Sequence, residues 1–217
     1  MYPAGSEVVY TNDTFAVPPL PIGSLSYRTA PAAEDTVILG APLLTLHMSA
    51  ERADTDLMVA LHDVSPEGQV LYLQRGFLRA SHRAIDPANS QPHELFHPHN
   101  RVQELVPGRI YEIQVQIFPV GHVLRKGHSL ELSIMAPPTI PLPNWGFIPV
   151  SLSGVNTIYQ TALYPSRLDL PVIPNRRAEA PAPACGSRVL QPCRKDISGL
   201  EKEAHDLDQV FQKLHAK

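Results

Sequence analysis

The sequence predicts an all-β protein, an antiparallel sandwich or barrel, on three observations. Its 23 prolines are spread along all 217 residues, and proline disrupts helix interiors because it lacks a backbone donor and clashes with the preceding turn. Several segments alternate apolar and polar residues with the two-residue period of a half-buried strand. From about residue 25 to 175, no helical period persists beyond a turn or two. Short strands separated by regular turns are typical of sandwiches and barrels.

Five segments carry the strand pattern most clearly. They are LLTLHM (43–48), DLMVALHDV (56–64), YEIQVQIF (111–118), SLELSI (129–134) and RLDLPV (167–172). The second is nearly all apolar, which predicts a central strand covered on both faces. Turn signals rich in proline and glycine separate these segments, at residues 65–68, 106–108 and 125–127.

The composition changes after residue 175. Residues 1–23 are interpreted as a lead-in, 24–175 as the β-domain, and 176–197, rich in Pro, Ala and Arg, as an extended linker. Residues 198–217 begin with a capping-box pattern and then repeat apolar residues every three or four positions. This pattern predicts one amphipathic helix, marginal in isolation, which would dock on the sandwich or on a partner chain, or remain solvated.

The two cysteines, Cys185 and Cys193, stand in the linker with seven residues between them. They would either close a small disulfide loop, which would indicate an oxidising compartment, or remain a reduced pair in the cytosol. With two cysteines and no C-x-x-C, a structural zinc site is not expected.

Charge and hydropathy exclude several classes of protein. The 18 basic and 21 acidic residues are interspersed, so neither a nucleic-acid partner nor a membrane-surface partner is predicted. No apolar run approaches the roughly 20 residues of a membrane span. The first residues lack the basic and apolar pattern of a signal peptide, and the localisation stays undetermined.

The string His93-Glu94-Leu95-Phe96-His97, with His99 behind it, matches the H-E-x-x-H pattern of zinc peptidases. That chemistry needs a helix, because two histidines four residues apart share one face only in helical geometry. Pro98 disfavours helical geometry at His97, and the window is short and polar. We therefore predict a loop and no peptidase centre, while His93, His97 and His99 could still bind zinc or nickel weakly.

A second candidate, GHSLE (127–131), resembles the start of the G-x-S-x-G nucleophile elbow. Glu131 replaces the last glycine and a strand pattern follows, so Ser129 is interpreted as an ordinary strand residue. The other candidates for a triad are acidic residues and histidines scattered along the chain, which only a folded structure could bring together: Asp54, Asp56, Asp63, His62, His82 and His122. Asp54 and Asp56 are interpreted as backbone caps at a strand entry, and Asp63 as the end of that strand. We expect no catalytic, cofactor-binding or metal-binding residue.

Residues 24–174 resemble the C-terminal domain of the cocaine esterase and X-Pro dipeptidyl-peptidase family of serine hydrolases, also called CocE/NonD hydrolases. The resemblance is carried, in order, by Tyr27-Arg28-Thr29, Thr55-Asp56-Leu57, the DVSPEG turn (63–68), GFLRASHR (76–83), Gly127-His128 and PSRLDLPVIP (165–174). Ser129 departs from the basic residue expected after Gly-His.

The resemblance implies a galactose-binding-like jelly-roll β-sandwich. In that family the catalytic serine, aspartate and histidine belong to a preceding α/β-hydrolase domain, and no position here matches them. We therefore expect a non-catalytic domain, inactive alone, that walls an active-site cleft. Its expected partner is an α/β-hydrolase domain, in the same chain or encoded separately, and it would make interdomain or homo-oligomer contacts.

Two other functions remain open from the sequence. A free-standing jelly-roll module could bind carbohydrate or another ligand, with Trp145 as its one plausible aromatic platform. An autonomous enzyme would need a Ser–His or His–His pair brought together across the sandwich.

Overall fold

The structure is all-β, as the sequence predicts. The computed structural model describes residues 7–12, 24–92, 94–137, 154–176 and 179–196, and in them the chain forms thirteen strands and a 3₁₀ turn at Ala80–His82. The strands are β1 Glu7–Asn12, β2 Leu25–Arg28, β3 Thr36–Gly40, β4 Leu43–Ala50, β5 Asp56–Val64, β6 Gln69–Arg79, β7 Tyr111–Gln116, β8 Val120–Leu124, β9 Ser129–Met135, β10 Gly154–Tyr159, β11 Arg167–Asp169, β12 Val172–Ile173 and β13 Cys193–Lys195.

The strands form three antiparallel sheets. Sheet A has the order β1-β10-β4-β11, with β7 also paired to β4, sheet B has the order β13-β6-β5-β9-β2, and sheet C has the order β12-β3-β8. One apolar core joins them, with side chains such as Leu46, Ile113, Leu61, Ile134 and Ile38 nearly inaccessible to solvent. This layered arrangement is a β-sandwich, and it confirms the predicted fold class.

The alternating patterns predict which side chains face the core. In β9 the apolar set Leu130, Leu132 and Ile134 belongs to the core, while Glu131 lies on the opposite face. The nearly continuous apolar strand β5 lies between β6 and β9, as its pattern predicts for a central strand.

The segment RLDLPV divides into two strands instead of one. β11 pairs with β4 in sheet A, and β12 pairs with β3 in sheet C. Pro171 separates them, and proline has no N–H to donate to a ladder. Its ring packs beside Gly40, so the chain changes sheets at a point where a continuous strand would be interrupted.

The three predicted turns are present. The β5–β6 hairpin closes with Gly68 N–H donating to the Ser65 carbonyl at 3.0 Å. Gly68, Gly108 and Gly127 all have φ between 75° and 84°, a region that glycine enters without steric cost.

The segment predicted to be a linker contains ordered structure where it is described. β13 pairs with the start of β6, with Cys193 opposite Leu71. The amphipathic helix predicted at 198–217 lies outside the described residues, as does Trp145. None of the helical structure in the described part of the chain is long and apolar enough to span a membrane.

Candidate functional site

In the described part of the chain, one cavity lies at the sheet B and sheet C end of the sandwich. It has a volume of about 680 Å³, and residues of β3, β5, β6 and β8 form its walls together with residues 179–191. A concave site of this size suits a small ligand. The segment 179–196, which we call the arm, therefore helps to form the cavity.

A buried carboxylate with two histidines lines this cavity. Asp63, only 5% exposed, accepts hydrogen bonds from His122 Nε2 at 2.7 Å and from His128 Nδ1 at 2.7 Å. Because a carboxylate only accepts, these partners place the ring N–H on those two nitrogens. Each carboxylate oxygen has one imidazole donor, which compensates for burial of the charge.

Three separate elements position this cluster. Asp63 lies near the end of β5, after a register shift between Leu61 and His62, and such a bulge re-aims the side chains that follow. His122 is central in β8, and His128 ends the turn that begins at Arg125. The sequence singled out Asp63 and His122 separately and missed His128, since no local pattern connects residues 59 and 65 positions apart.

The cluster contains the acid and the histidine of a hydrolytic triad, but no nucleophilic side chain in the described residues is hydrogen-bonded to it. Within the described residues, no serine hydroxyl is hydrogen-bonded to a histidine ring. Ser65 lines the same cavity, yet its hydroxyl interacts with the Gln69 amide at 3.3 Å. General-base activation of a serine needs a direct hydrogen bond or one bridging water, and no such direct bond is present in this part of the molecule.

An ion-pair network lies on the face of β9 that carries Glu131, opposite the face that packs into the core. Glu131 is 4% exposed and accepts from Arg28 Nε at 3.0 Å, while Arg28 Nη1 donates to Asp196 of the arm at 2.6 Å. The hydrogen bond to Asp196, followed by the interactions with Glu131, raises the pKa of the Arg28 guanidinium. This network holds the end of the arm on sheet B.

His62 borders the same network. Its Nδ1 lies 4.0 Å from Glu131 Oε1, and its ring packs edge-on against Tyr72. Burial lowers the pKa of His62 to about 4, with Glu131 opposing and Arg194 adding to the shift. The imidazole is therefore neutral at neutral pH, and its role is packing.

The two aspartates at the entry to β5 have structural partners. Asp54 accepts from the backbone N–H groups of Thr55 and Ser81, both at 2.9 Å, which agrees with a capping role. Asp56 forms a two-point ion pair with Arg79 at 2.7 and 2.8 Å. Ser129 begins β9 and is buried, in agreement with its interpretation as a strand residue.

The H-E-x-x-H string is not helical. Gln91 and Glu94 exchange backbone hydrogen bonds as an isolated antiparallel bridge, and no helix occupies residues 94–99. His93 lies outside the described residues, and His97 Nδ1 lies 3.0 Å from the Ala84 carbonyl oxygen. Over the described ranges, no group of three or more His, Cys, Asp and Glu side chains has the geometry of a metal site.

The cysteine pair, which the sequence left open, is a disulfide joining Cys185 to Cys193. It closes a nine-residue loop within the arm that ends at the first residue of β13. The loop is largely exposed, and Leu190 has φ of 63°. The disulfide thus holds the cavity-lining part of the arm near the edge of sheet B.

A second cavity opens between sheets A and B. It has a volume of about 320 Å³, and its walls are mainly apolar side chains of the core, including Leu44, Leu132 and Ile158. Polar residues border it, among them Gln160 and Arg167.

Fold and site together define a β-sandwich domain with a ligand-sized cavity and a histidine-bound carboxylate. Residues 21–169 match the family model of the X-Pro dipeptidyl-peptidase C-terminal non-catalytic domain. The match spans more than half of the chain, and the chain belongs to this family. The resemblance seen in the sequence is thereby confirmed.

Two mycobacterial proteins are similar in sequence. A Mycobacterium bovis protein provisionally named a serine esterase is 28% identical over 154 residues, which cover 69% of this chain and 24% of that protein. Its Mycobacterium tuberculosis counterpart gives the same values. The chain thus spans about a quarter of the length of these relatives.

Solved structures share the fold. A CocE/NonD family hydrolase from Staphylococcus aureus superposes with a TM-score of 0.67 at 22% identity, covering 78% of this chain and 33% of that one. An aminopeptidase from a marine sediment Thaumarchaeota archaeon gives a TM-score of 0.54 at 20% identity, covering 69% of this chain and 26% of that one.

Proposed function

We propose that this chain is the non-catalytic β-sandwich part of a CocE/NonD-type serine hydrolase. Hydrolysis of an ester, an amide or an X-Pro peptide would take place in a separate α/β-hydrolase domain. The observation that carries the proposal is the match of residues 21–169 to a non-catalytic domain family. The mycobacterial relatives, of which the chain covers 24%, leave ample length for such a catalytic domain.

The geometry of the best acid–histidine cluster also supports this proposal. Asp63 orients His122 and His128, but in the described residues neither ring is hydrogen-bonded to a serine hydroxyl. A sandwich of this kind would act by contact, through walling the partner's cleft and through interdomain or homo-oligomer surfaces.

Exposed apolar side chains are the natural candidates for that contact. Phe96, Val102 and Val106 lie exposed in the single connection between β6 and β7. Contiguous exposed apolar patches mark interaction sites, and we propose that these three side chains belong to such a patch and that this connection faces the hydrolase domain.

The first test is an esterase assay on the purified chain with p-nitrophenyl butyrate and a serine-reactive fluorophosphonate. We expect no turnover and no labelling. Stoichiometric labelling of one serine, abolished by substituting that serine, would show an autonomous enzyme and end the proposal.

The second test is a chimera in which residues 24–174 replace the matched segment of the M. bovis relative. If the connection faces the hydrolase domain, Val102→Asp should lower turnover by the chimera or weaken its domain association. Leu163→Asp is the matched control, because Leu163 is 75% exposed in a different loop. Equal behaviour of the two variants would place the contact elsewhere.

A ligand-binding module is the second candidate, and the 680 Å³ cavity is the observation that favours it. A panel of mono- and disaccharides and small carboxylates, screened by shifts of the His122 and His128 imidazole signals in NMR, tests it. Saturable shifts of both rings would support a ligand site, and unchanged signals across the panel would exclude those ligands.

A further inference from the structure

Two histidines outside the cavities lie against each other at the end of β6. His82, in the 3₁₀ turn, and His99, in the following connection, have their Nδ1 atoms 3.2 Å apart. Their ring centroids are 5.2 Å apart, and the His97 ring lies 5.9 Å from that of His99. Nothing in the proposed function uses these imidazoles.

The backbone accounts for this juxtaposition. His99 has φ of 50°, a left-handed conformation that histidine adopts more readily than most residues. On the far side of His99, Gln103 N–H donates to the Ser81 carbonyl at 2.8 Å, and Arg83 Nη1 donates to the Gln103 carbonyl. The connection is therefore fastened to the 3₁₀ turn within a few residues of both histidines.

The spacing of the rings matches that of two ligands on one metal ion. Zinc–imidazole bonds of about 2.0–2.1 Å place two nitrogens about 3.3 Å apart at a tetrahedral angle and about 2.9 Å apart at a right angle. The observed 3.2 Å lies between these values. The same bonds place ring centroids about 5.2 Å apart at the tetrahedral angle, which is the distance seen here.

We propose that His82 and His99 form a two-histidine site for a divalent transition metal of the Zn²⁺, Ni²⁺ or Cu²⁺ class, with both Nδ1 atoms as ligands. Imidazole suits these ions, and water would complete the coordination. His97 borders the site with its Nδ1 against the Ala84 carbonyl. The sequence predicted no metal centre and left open only weak zinc or nickel binding by His93, His97 and His99. The site proposed here keeps His99 from that group and pairs it with His82.

Calorimetric titration of the untagged full chain with NiCl₂ and CuCl₂ at pH 7.5 tests the site. We expect one ion per chain, with affinity reduced at least tenfold in both His82→Ala and His99→Ala. His93→Ala is the matched control, since it removes the first histidine of the string, and it should bind as the wild type does. Circular dichroism establishes that each variant is folded.

A second readout separates coordination from loss of structure. The Cu²⁺ complex should show electron-paramagnetic-resonance couplings to two imidazole nitrogens, reduced to one in His99→Gln, a variant that keeps a polar side chain at the turn. Unchanged binding in His82→Ala and His99→Ala, or its loss in His93→Ala, would overturn the assignment, as would weak binding without defined stoichiometry, which indicates an adventitious ion only.

Discussion

Asp63 and His122, 59 positions apart in the chain, are joined by a hydrogen bond of 2.7 Å that ties sheet B to sheet C. The same carboxylate holds His128 at 2.7 Å. The contact fastens β8 onto the end of β5 at the wall of the larger cavity. Its contribution to the free energy of unfolding can be measured.

Asp63→Asn should lower the free energy of unfolding by about 2–4 kcal/mol, because the amide NH₂ group that replaces one buried carboxylate oxygen cannot accept from the imidazole N–H that faces it. The measurement is urea denaturation at pH 7. Asp169→Asn is the matched control, since its ion pair with Arg167 is solvent-exposed, and we expect a change within about 0.5 kcal/mol. Equal effects would mean that the Asp63 cluster contributes nothing beyond a surface pair.

His62 should make stability depend on pH. Its folded pKa is about 4, against an ordinary value of 6.5. Above pH 6.5 the His62 imidazole is neutral in both the folded and the unfolded chain, and its full contribution to the free energy of unfolding is present. Between pH 6.5 and 4 only the unfolded chain takes up the proton, so up to about 3 kcal/mol is lost, and below pH 4 the loss levels off.

The variant His62→Gln isolates this effect, because glutamine does not titrate and the remaining groups are common to both proteins. The measurement is the urea midpoint of each protein at pH 7 and at pH 4.5. The wild type should lose more stability than the variant between these two pH values, so their midpoints should lie closer together at pH 4.5. Parallel pH dependences would show that His62 is already protonated in the folded state near pH 6.

Gly76 should tolerate no side chain. A Cβ there would clash with the Gln116 carbonyl oxygen and would lie 3.0 Å from the Gln116 carbonyl carbon and 3.1 Å from Ile117 Cα. All three are backbone atoms, which cannot move away by a side-chain rotation. Gly76→Ala should cost about 2–4 kcal/mol of stability or shift β7 away from β6. Thermal unfolding measures it against Gly121→Ala, whose Cβ would meet only Leu39 Cδ1 at an ordinary 3.5 Å, and which should be nearly neutral.

Removing the disulfide should open the arm and leave the core unchanged. The chain-entropy model assigns about 2–3 kcal/mol to closing a nine-residue loop, so Cys185→Ser should raise local opening about 30- to 150-fold. Hydrogen exchange at the Tyr72 amide, which donates to the Pro192 carbonyl at 3.0 Å, reports it. The amide of Val59 in the central strand is the control, and accelerated exchange there would mean that the arm and the sandwich unfold together.

Much of the fold could be predicted from neighbouring residues alone. The alternation in β9, the apolar run of β5 and the glycine turns at 68, 108 and 127 are properties of a few adjacent positions, and side-chain direction in a strand repeats every two residues. Pro98 likewise suffices to argue against a helix at His97. The division of RLDLPV between two sheets was not foreseen, because both halves obey the same local pattern.

The sequence by itself determined the all-β class, the turns, the central position of β5 and the family resemblance. Only the tertiary structure decided that Asp63 meets His122 and His128, that Cys185 is bonded to Cys193, that the arm contributes β13, and that His82 meets His99. The physical reason is the sequence separation of the residues that interact. Strand periodicity is written into successive residues, whereas these contacts depend on the order and register of segments distant in the chain, which are chosen by burial of the whole core.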